Sequence, residues 1–418
     1  MNIYFAGIGG VGIGPLAEIA SDAGNFIAGS DTTKSPVTYQ LEAKGVEIAY
    51  VQDGSFVERV HASQPLDWFI YTAAMPQDHP ELLRAKALGI KTGKRDELIS
   101  DIIREHNLKL IAVAGTHGKT TTTGMLVWVF KQLGIPLSYS VGSTLSFGPS
   151  GRFDENAQYF VYECDEFDRN FLHFTPHLSL ITSVDYDHPD TYPTPREYIA
   201  AFQQFIDHSD HTILWQRDTD QGLQIHSTDT LLRMDDVQPL HLIGIHNREN
   251  ATLVAQACQY LGIGTYDTIP TALDTFPGTA RRFEQLDTGI YSDYGHHPTE
   301  IAATLQLARE LSDHITLVYQ PHQNTRQHQV RAQYTTCMEL AEKIYWLPTY
   351  LTREDPNLPL LSPEQLTQNL SNRSVVTYCD LNDQLWTDLQ NERAGGRLVV
   401  VMGAGTVDGW LRDQIAKE

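Results

Sequence analysis

The sequence predicts an α/β protein whose strands form parallel sheets covered on both faces by helices. Three observations support this fold class. Short apolar runs alternate with helical patterns, several of these runs end at a glycine, and strand, turn and helix recur in that order along the 418 residues. This order is typical of parallel sheets, in which helices connect successive strands. At roughly 100–200 residues per domain, the length corresponds to two to four domains.

The individual elements follow from the same pattern. Strands are predicted at 3–7, 26–30, 68–72, 108–115, 159–164, 178–182, 315–319 and 397–403. Helices are predicted over 15–23 and through 125–130. Polar stretches at 105–108 and 274–280 are the predicted linkers, which gives three domains over 1–106, 107–279 and 280–418.

Composition excludes several protein classes. Residues of the hydrophobic set make up 41% of the chain, which excludes disordered, collagen-like and coiled-coil proteins. The 30 Lys and Arg residues against 52 Asp and Glu residues give a net charge of −22. Because this charge repels polyanions, we expect neither nucleic acid nor an anionic membrane as a partner.

The sequence also predicts a soluble, cytoplasmic protein. It shows no basic leader segment, and no apolar run approaches the roughly 18 residues that cross a bilayer. The four cysteines, Cys164, Cys258, Cys337 and Cys379, are far apart. They form no C-x-x-C pair, so neither a zinc knuckle nor a disulfide framework is predicted.

The strongest motif is a glycine-containing turn that directly follows an apolar strand and opens a helix. Its predicted phosphate-binding residues are Gly115, Thr116, His117, Gly118, Lys119, Thr120 and Thr121. Backbone N–H groups in such a turn, together with the positive end of the helix, bind anions. Lys119 is predicted to contact the β- and γ-phosphates of ATP, and the Thr120 hydroxyl to hold Mg²⁺. The turn is a variant, because Val113 takes the place of the first glycine of the usual phosphate-binding loop.

A second glycine turn lies between the first predicted strand and the first predicted helix. Its glycines are Gly7, Gly9, Gly10, Gly12 and Gly14. Glycines let the backbone approach a diphosphate closely, and a carboxylate at the offset of Asp31 accepts hydrogen bonds from ribose hydroxyls. The pattern predicts a site for a dinucleotide or a nucleotide sugar. Dehydrogenases share this pattern, so an oxidoreductase is one alternative.

Acidic residues follow two later strands. One group is Glu163, Asp165, Glu166 and Asp168, and the other is Asp185, Asp187, His188 and Asp190. Because ligands bind at the carboxyl ends of parallel strands, we expect both groups to face the turn that holds Lys119. Carboxylates and a neutral imidazole are suitable Mg²⁺ ligands, and Glu163 and His188 are the candidates. Singly, Asp165, Glu166, Asp168 and Asp190 are interpreted as solvated acidic ends of loops.

Three further polar clusters lie in the second half of the chain. They are Asn247 with Asn250, Arg281 with Arg282, and the run Asp293, Tyr294, His296, His297 and Glu300. Amide side chains can read adenine edges, and guanidinium groups bind phosphates. The two adjacent histidines could form a metal site, but adjacent residues seldom direct both rings at one ion.

With these motifs in order, the sequence resembles the Mur ligase family, ATP-dependent enzymes that form amide bonds in peptidoglycan precursor synthesis. The resemblance extends from Ile3 to about Gly409. The residues that carry it are the two glycine turns and the segments 29–31, 293–301, 320–326 and 402–405. It implies a Rossmann-like N-terminal domain that binds the UDP part of a sugar nucleotide, a central P-loop ATPase-type domain, and a Rossmann-like C-terminal domain that closes over the site.

The resemblance also implies roles for individual residues. The implied UDP-sugar-binding residues are Gly7, Gly9, Gly10, Gly12, Ser30, Asp31 and Thr72. The implied catalytic residues are Lys119, Glu163, His188, Asn247, Arg282 and Asp293. The implied ATP site consists of the phosphate-binding turn together with Asn247, Asn250, Arg282 and Asp293. The implied Mg²⁺ ligands are Thr120, Glu163 and His188. The implied contacts to the amino acid are Tyr294 and Arg326.

Within the family, the sequence is most similar to the members that add L-alanine. The implied reaction joins L-alanine to the lactyl carboxylate of UDP-N-acetylmuramate through an acyl phosphate, with ATP and Mg²⁺. The alternative is the attachment of a recycled tripeptide. Gln323 departs from the arginine of alanine-adding relatives, and Asn324 and Thr325 are more similar to the tripeptide-adding type, whereas Arg326 matches the alanine-adding type. The amine donor is therefore L-alanine or a related amino acid or peptide, and we expect a monomer or a weak homodimer.

Two other functional classes explain less of the sequence. An oxidoreductase accounts for the region from Gly7 to Asp31 but leaves the Lys119 turn unexplained. A nucleotide-binding protein without catalysis keeps that turn, but its catalytic ligands could be lost. The residues whose joint presence argues against it are Glu163, His188, Asn247 and Asp293.

Overall fold

The computed structural model describes residues 1–10, 12–72, 75–188, 191–352 and 354–417. It confirms the predicted α/β class, because three mostly parallel sheets alternate with helices along these residues. The predicted strand at 315–319 has the predicted bounds, and the predicted strands at 3–7 and 397–403 are shifted or shortened at their ends.

The first sheet contains five strands from the N-terminal part of the chain. They are β1 (Asn2–Ala6), β2 (Phe26–Ser30), β3 (Glu47–Ala49), β4 (Trp68–Tyr71) and β5 (Lys91–Lys94). The helices of this part are α1 (Gly14–Asp22), α2 (Pro36–Ala43), α3 (Ser55–Ser63), α4 (Pro80–Ala87) and α5 (Arg95–Glu105). The strand order is β3-β2-β1-β4-β5 and every pair is parallel, so the carboxyl ends of all five strands lie at one edge.

The second sheet contains seven strands. They are β6 (Lys109–Ala114), β7 (Ser138–Ser140), β8 (Gly151–Arg152), β9 (Tyr159–Glu163), β10 (Leu178–Ile181), β11 (Thr212–Trp215) and β12 (Thr230–Leu232). The accompanying helices are α6 (Lys119–Gln132), α7 (Pro195–Asp207), α8 (Gln216–Thr219), α9 (Ile245–Leu261) and α10 (Thr268–Asp274). In the order β12-β11-β10-β6-β9-β7-β8, only the β7–β8 pair is antiparallel among the described residues. The central strand β6 lies between β10 and β9, and all three strands run in one direction.

The third sheet contains six strands from the C-terminal part. They are β13 (Glu284–Asp287), β14 (Ile290–Asp293), β15 (Ile315–Tyr319), β16 (Lys343–Trp346), β17 (Val376–Tyr378) and β18 (Leu398–Met402). Its helices are α11 (Pro298–Arg309), α12 (Asn324–Val330), α13 (Pro363–Leu366), α14 (Asp383–Ala394) and α15 (Val407–Ile415). Short 3₁₀ segments occur at Phe167–His173, Met234–Asp236, Arg331–Gln333 and Arg373–Val375. The order is β13-β14-β18-β15-β16-β17, with β13 antiparallel to β14 and the other pairs parallel.

The chain divides into two compact units. One unit comprises Met1–Leu240 with Asn250–Pro277, and the other comprises His241–Glu249 with Gly278–Glu418. The first two sheets belong to one unit because a single apolar core includes residues near both, among them Ile3 and Phe160, both fully buried. The three-domain division at 106/107 and 279/280 stays a prediction. None of the helices among the described residues has the length and apolar character to cross a membrane.

Candidate active site

The predicted phosphate-binding turn lies between β6 and α6 and is fixed against the segment that follows β10. The amide of Thr116 donates to the carbonyl of Ser183 at 2.9 Å, and the amide of His117 donates to the Ser183 hydroxyl at 3.0 Å. Gly115 has φ of +135°, and a Cβ at this position would lie 2.2 Å from Thr182 Oγ1. Glycine is therefore required here. The amides of the first turn of α6, which includes Thr121, have no partner inside the helix and can bind an anion.

The Lys119 ammonium lies inside this turn. Its Nζ donates to the carbonyl of Gly115 at 2.6 Å and to Oε2 of Glu166 at 2.6 Å. Burial lowers the pKa of Lys119, but the adjacent carboxylates of Glu166 and Asp165 outweigh this effect, so the pKa lies above its ordinary value. Lys119 is therefore a fixed positive charge beside the anion-binding amides.

The interpretation of Glu166 as a solvated loop end is wrong. Its side chain has no exposed surface, and besides Lys119 it accepts a hydrogen bond from the Tyr198 hydroxyl at 3.5 Å. The Tyr192 hydroxyl donates to the backbone carbonyl of Glu166 at 2.6 Å, and Nε2 of His188 lies 3.7 Å from Oε1 of Glu166. Burial raises the pKa of Glu166 and Lys119 opposes this increase. The residue is buried because Lys119, Tyr192 and Tyr198, from separate parts of the chain, contact it.

The neighbouring acidic residues remain partly exposed. The carboxylate of Asp168 is 49% exposed and accepts from Lys94 at 2.7 Å, and that of Asp165 is 37% exposed. Asp190 lies outside the described residues.

The predicted metal ligands form two adjacent groups. The Thr120 hydroxyl donates to Oε1 of Glu163 at 2.7 Å, and the amide of Gly142 donates to its Oε2 at 2.9 Å. The ligand atoms of Asp165, Glu166 and His188 lie within 4.8 Å of one another. A hydroxyl and carboxylates in contact are the oxygen ligands that Mg²⁺ prefers, so the donor set fits this ion.

The structure brings the glycine turn after β1 together with the ends of β2 and β4. The amides of Gly7 and Ile8 donate to the carbonyl of Ser30 at 2.8 and 2.9 Å, and a Cβ on Gly7 would lie 3.8 Å from Thr72 Cγ2. The amide of Gly9 donates to Oδ2 of Asp31 at 2.8 Å. Asp31 therefore fixes the turn. Within the same turn, the amide of Gly10 donates to the carbonyl of Gly7, and the Gly12 backbone precedes α1.

Sequence reasoning missed a buried carboxylate below this turn. Glu81 has no exposed surface and accepts from the Ser30 hydroxyl and from the Tyr4 hydroxyl, each at 2.7 Å. Burial raises its pKa, and the two hydroxyls oppose the increase. No local pattern marks Glu81, because it lies on α4 and its partners lie on β1 and β2.

The two asparagines of α9 have different environments. Asn250 lies against the phosphate-binding turn, since a Cβ on Gly118 would lie 2.8 Å from Asn250 Oδ1. Asn247 donates from Nδ2 to the carbonyl of Ile243 at 2.9 Å. The structure thus places Asn250 beside the phosphate-binding loop at Gly118 and Asn247 near the start of helix α9.

In the other unit, Asp293 ends β14 and is buried. It accepts from the amides of Phe283 at 2.8 Å and Gly295 at 2.7 Å. Burial raises the pKa of Asp293 to about 6, although Arg282 and these amides favour the charged form. The Arg282 guanidinium lies 5.1 Å from the centre of the Tyr294 ring. The predicted residues Arg282, Asp293 and Tyr294 therefore form one cluster.

The predicted amino acid contacts meet through His296. Its ring lies edge-on to the Tyr294 ring at 5.6 Å, and its Nε2 contacts the Arg326 guanidinium. The adjacent His297 has a different partner, because its Nδ1 accepts from the Thr299 amide at the start of α11. Gln323 has φ of +60° and precedes α12. His296 could have been found from its place beside Tyr294 in the sequence.

Three family models match successive parts of the chain. Residues 2–107 match the family model described as Mur ligase family, catalytic domain, residues 113–228 match the Mur ligase middle domain, and residues 281–405 match the Mur ligase, glutamate ligase domain. A UDP-N-acetylmuramate–L-alanine ligase of Thermosynechococcus vestitus is 31% identical, with 97% of this chain and 93% of that protein covered.

Solved structures show the same fold. A UDP-N-acetylmuramate-alanine ligase from Thermotoga maritima matches with a TM-score of 0.77 at 23% identity, covering 100% of this chain and 99% of that one. A murein peptide ligase from Psychrobacter arcticus matches with a TM-score of 0.68 at 22% identity, covering 100% and 98%. The family models and the curated relative establish that the chain belongs to the Mur ligase family, as an ATP-dependent, amide-bond-forming ligase of peptidoglycan synthesis.

Proposed function

We propose that this chain joins L-alanine to the lactyl carboxylate of UDP-N-acetylmuramate, with ATP as the phosphoryl donor. The observation that carries the proposal is the buried Lys119 in an anion-binding turn, next to the paired oxygens of Thr120 and Glu163. Curated relatives that span nearly the whole chain and are named for this reaction support the choice of substrates.

The chemistry requires activation of the acid. An amine cannot displace oxide from a carboxylate at neutral pH, because oxide is too poor a leaving group. A carboxylate oxygen therefore attacks the γ-phosphorus of ATP, which forms an acyl phosphate and releases ADP. The amine then adds to the acyl carbon, and the tetrahedral intermediate expels inorganic phosphate after losing a proton.

This chain's residues supply charge and position rather than covalent chemistry. The Lys119 ammonium and the amides of the first turn of α6 hold the phosphates and stabilise charge on the transferring group. We assign Asn250 and Asn247 to the nucleotide, and Arg282 and Asp293 to the ATP site. We expect the C-terminal domain over 280–418 to close during the reaction and to keep water from the acyl phosphate, and positioning of the reactants can contribute about 7–11 kcal/mol of barrier reduction.

We assign the Mg²⁺ ligands to Thr120, Glu163 and His188. The hydrogen bond between Thr120 and Glu163 places two oxygens together where the phosphate-binding turn leads into α6. When bound, Mg²⁺ offsets phosphate charge, which matters in a chain of net charge −22.

The sugar nucleotide is assigned to the turn after β1. Gly7, Gly9, Gly10 and Gly12 let the diphosphate approach the backbone, while Ser30, Asp31 and Thr72 lie at adjacent strand ends. The turn after β1 and the phosphate-binding turn after β6 then lie at carboxyl ends of strands in the same compact unit.

The amine donor is assigned to the cluster of Tyr294, His296 and Arg326. The departure at Gln323 keeps the tripeptide as the second candidate. The test is an ADP-release assay with UDP-N-acetylmuramate against a panel of amino acids and the tripeptide. We expect ADP with L-alanine and a product heavier by one alanyl residue. ADP formation with the tripeptide but not with amino acids contradicts the proposed donor.

A further inference from the structure

A cationic side chain lies against the glycine turn after β1. Arg95 is the first residue of α5 and directly follows β5, so it lies at the same carboxyl edge of the first sheet as the turn. A Cβ on Gly12 would lie 3.3 Å from Nη1 of Arg95. The turn approaches the guanidinium closely at a residue that has no side chain.

The guanidinium of Arg95 makes two long ion-pair contacts to carboxylates. Its Nε lies 3.4 Å from Asp96 Oδ1 and its Nη2 lies 3.7 Å from Asp165 Oδ2. No hydrogen bond to this guanidinium is formed within the described part of the chain. The side chain is only 29% exposed. Because arginine has five N–H donors in a rigid fork, a largely buried guanidinium without hydrogen bonds is suited to a ligand.

The neighbouring Lys94 differs in this respect. Its ammonium is 44% exposed and donates to Asp168 at 2.7 Å. The cation that faces the turn is therefore Arg95, while Lys94 is engaged with the loop after β9.

Charge indicates which ligand fits. The residues 7–14 are all glycine, isoleucine or valine, so the turn itself carries no charged side chain. A diphosphate brings about two negative charges into a protein with a net charge of −22. Backbone amides alone do not neutralise these charges, whereas an arginine binds two phosphate oxygens at once.

We propose that Arg95 binds the diphosphate of the sugar nucleotide held by the glycine turn, exchanging its loose ion pair with Asp165 for phosphate oxygens. The inference rests on the proposed function, since it requires a uridine diphosphate at this turn. It adds a recognition residue that the glycine pattern does not contain, and it links the turn to the acidic loop after β9.

The test is calorimetric titration of the full chain with UDP and with uridine. Arg95→Gln lowers the affinity for UDP by about 10- to 100-fold, the usual effect of losing charged hydrogen bonds, and changes uridine binding less than twofold. Arg95→Lys has an intermediate effect. The matched control is Arg104→Gln, because Arg104 lies on the same helix with a side chain that is 76% exposed.

A second variant tests the exchange with Asp165 and does not depend on the folding of Arg95→Gln. Asp165→Asn removes the competing carboxylate, so UDP binds several-fold more tightly than in the unchanged chain. A purely structural Arg95 gives no such increase.

The outcomes separate this inference from the proposed function. Equal UDP affinity for the unchanged chain and Arg95→Gln, or no gain in Asp165→Asn, overturns the role of Arg95 alone. Absence of UDP binding by the unchanged chain overturns the sugar-nucleotide site and with it this inference.

Discussion

The ammonium of Lys119 lies 2.6 Å from Oε2 of Glu166, a carboxylate with no exposed surface. This ion pair joins the phosphate-binding turn to the loop after β9. Glu166 is the counter-charge of Lys119 in this structure. If Lys119 binds the γ-phosphate as proposed, the phosphate competes with Glu166 for the same ammonium.

Glu166→Gln leaves Lys119 buried without its counter-charge. We expect the free energy of unfolding to fall by about 3 kcal/mol without nucleotide, since breaking a buried pair leaves an uncompensated charge. ATP with Mg²⁺ replaces the missing charge, so it stabilises this variant more than the unchanged chain. Urea unfolding with and without nucleotide measures both effects. Asp168→Asn, at a half-exposed ion pair, changes stability by less than about 1 kcal/mol. Equal nucleotide stabilisation in both proteins contradicts the role of Glu166.

Lys119→Ala removes the charge that holds the phosphates. We expect ADP formation to be abolished while UDP-N-acetylmuramate binding stays nearly intact, because the sugar nucleotide is assigned to the turn after β1. A coupled ADP assay and a separate binding titration measure the two effects. Lys131→Ala, at the other end of α6, is the control and retains activity. Normal turnover in Lys119→Ala removes Lys119 from its proposed role.

Glu163→Gln tests the metal site. The Thr120 hydroxyl and the Gly142 amide both donate to this carboxylate, so a neutral amide weakens the charge available to Mg²⁺. We expect the Mg²⁺ concentration for half-maximal ADP formation to rise about tenfold or more. The exposed Glu155, on the segment before β9, provides the control Glu155→Gln. An unchanged Mg²⁺ dependence argues for another ligand set.

The burial of Glu18 predicts that the free energy of unfolding depends on pH. This carboxyl on α1 is 2% exposed and accepts from the Gly151 amide at 2.9 Å, and burial raises its pKa from 4.5 to about 7. Because the folded chain binds the proton more tightly, its contribution to stability is fully present below the unfolded pKa. The contribution is lost as the pH rises through about 7, and it amounts to about 3 kcal/mol.

The measurement is the free energy of unfolding between pH 5 and pH 8. Glu18→Gln removes part of the decline over this range, because the amide does not titrate, whereas the buried Asp293, with a pKa of about 6, still contributes to it. Glu105→Gln, at an exposed position at the end of α5, keeps the decline of the unchanged chain. A decline of the same size in Glu18→Gln assigns the pH dependence to other groups.

Gly151→Ala tests the close packing of α1 on β8. A Cβ on Gly151 would lie 2.0 Å from the carbonyl oxygen of Pro15, a backbone atom that cannot move aside alone. We expect a loss of about 3 kcal/mol in the free energy of unfolding. Gly134→Ala is the matched control, because no heavy atom lies within 4 Å and only its φ of +66° costs about 1–2 kcal/mol. Equal losses for both variants contradict the packing argument.

Local patterns were sufficient for the α/β class, for eight of the eighteen strands among the described residues and for the two glycine turns, and the motifs together indicated the family. The turn from Gly115 to Thr120 could be identified because a strand, a glycine turn and a lysine are consecutive in the chain. The meeting of Thr120 with Glu163 followed from a general property of parallel sheets, whose strand ends share one edge.

The sequence by itself determined the α/β class and the two glycine turns, since each depends on residues close together in the chain. The reaction class followed from the resemblance of motifs spread along the chain to the Mur ligase family. Only the tertiary structure decided that Glu166 is buried against Lys119, that Glu81 holds Ser30, and that Arg95 lies beside Gly12. These neighbours come from separate elements brought together by packing. Whether a carboxylate or a guanidinium faces water, a counter-charge or a ligand depends on that packing, which periodicity along one strand or helix does not specify.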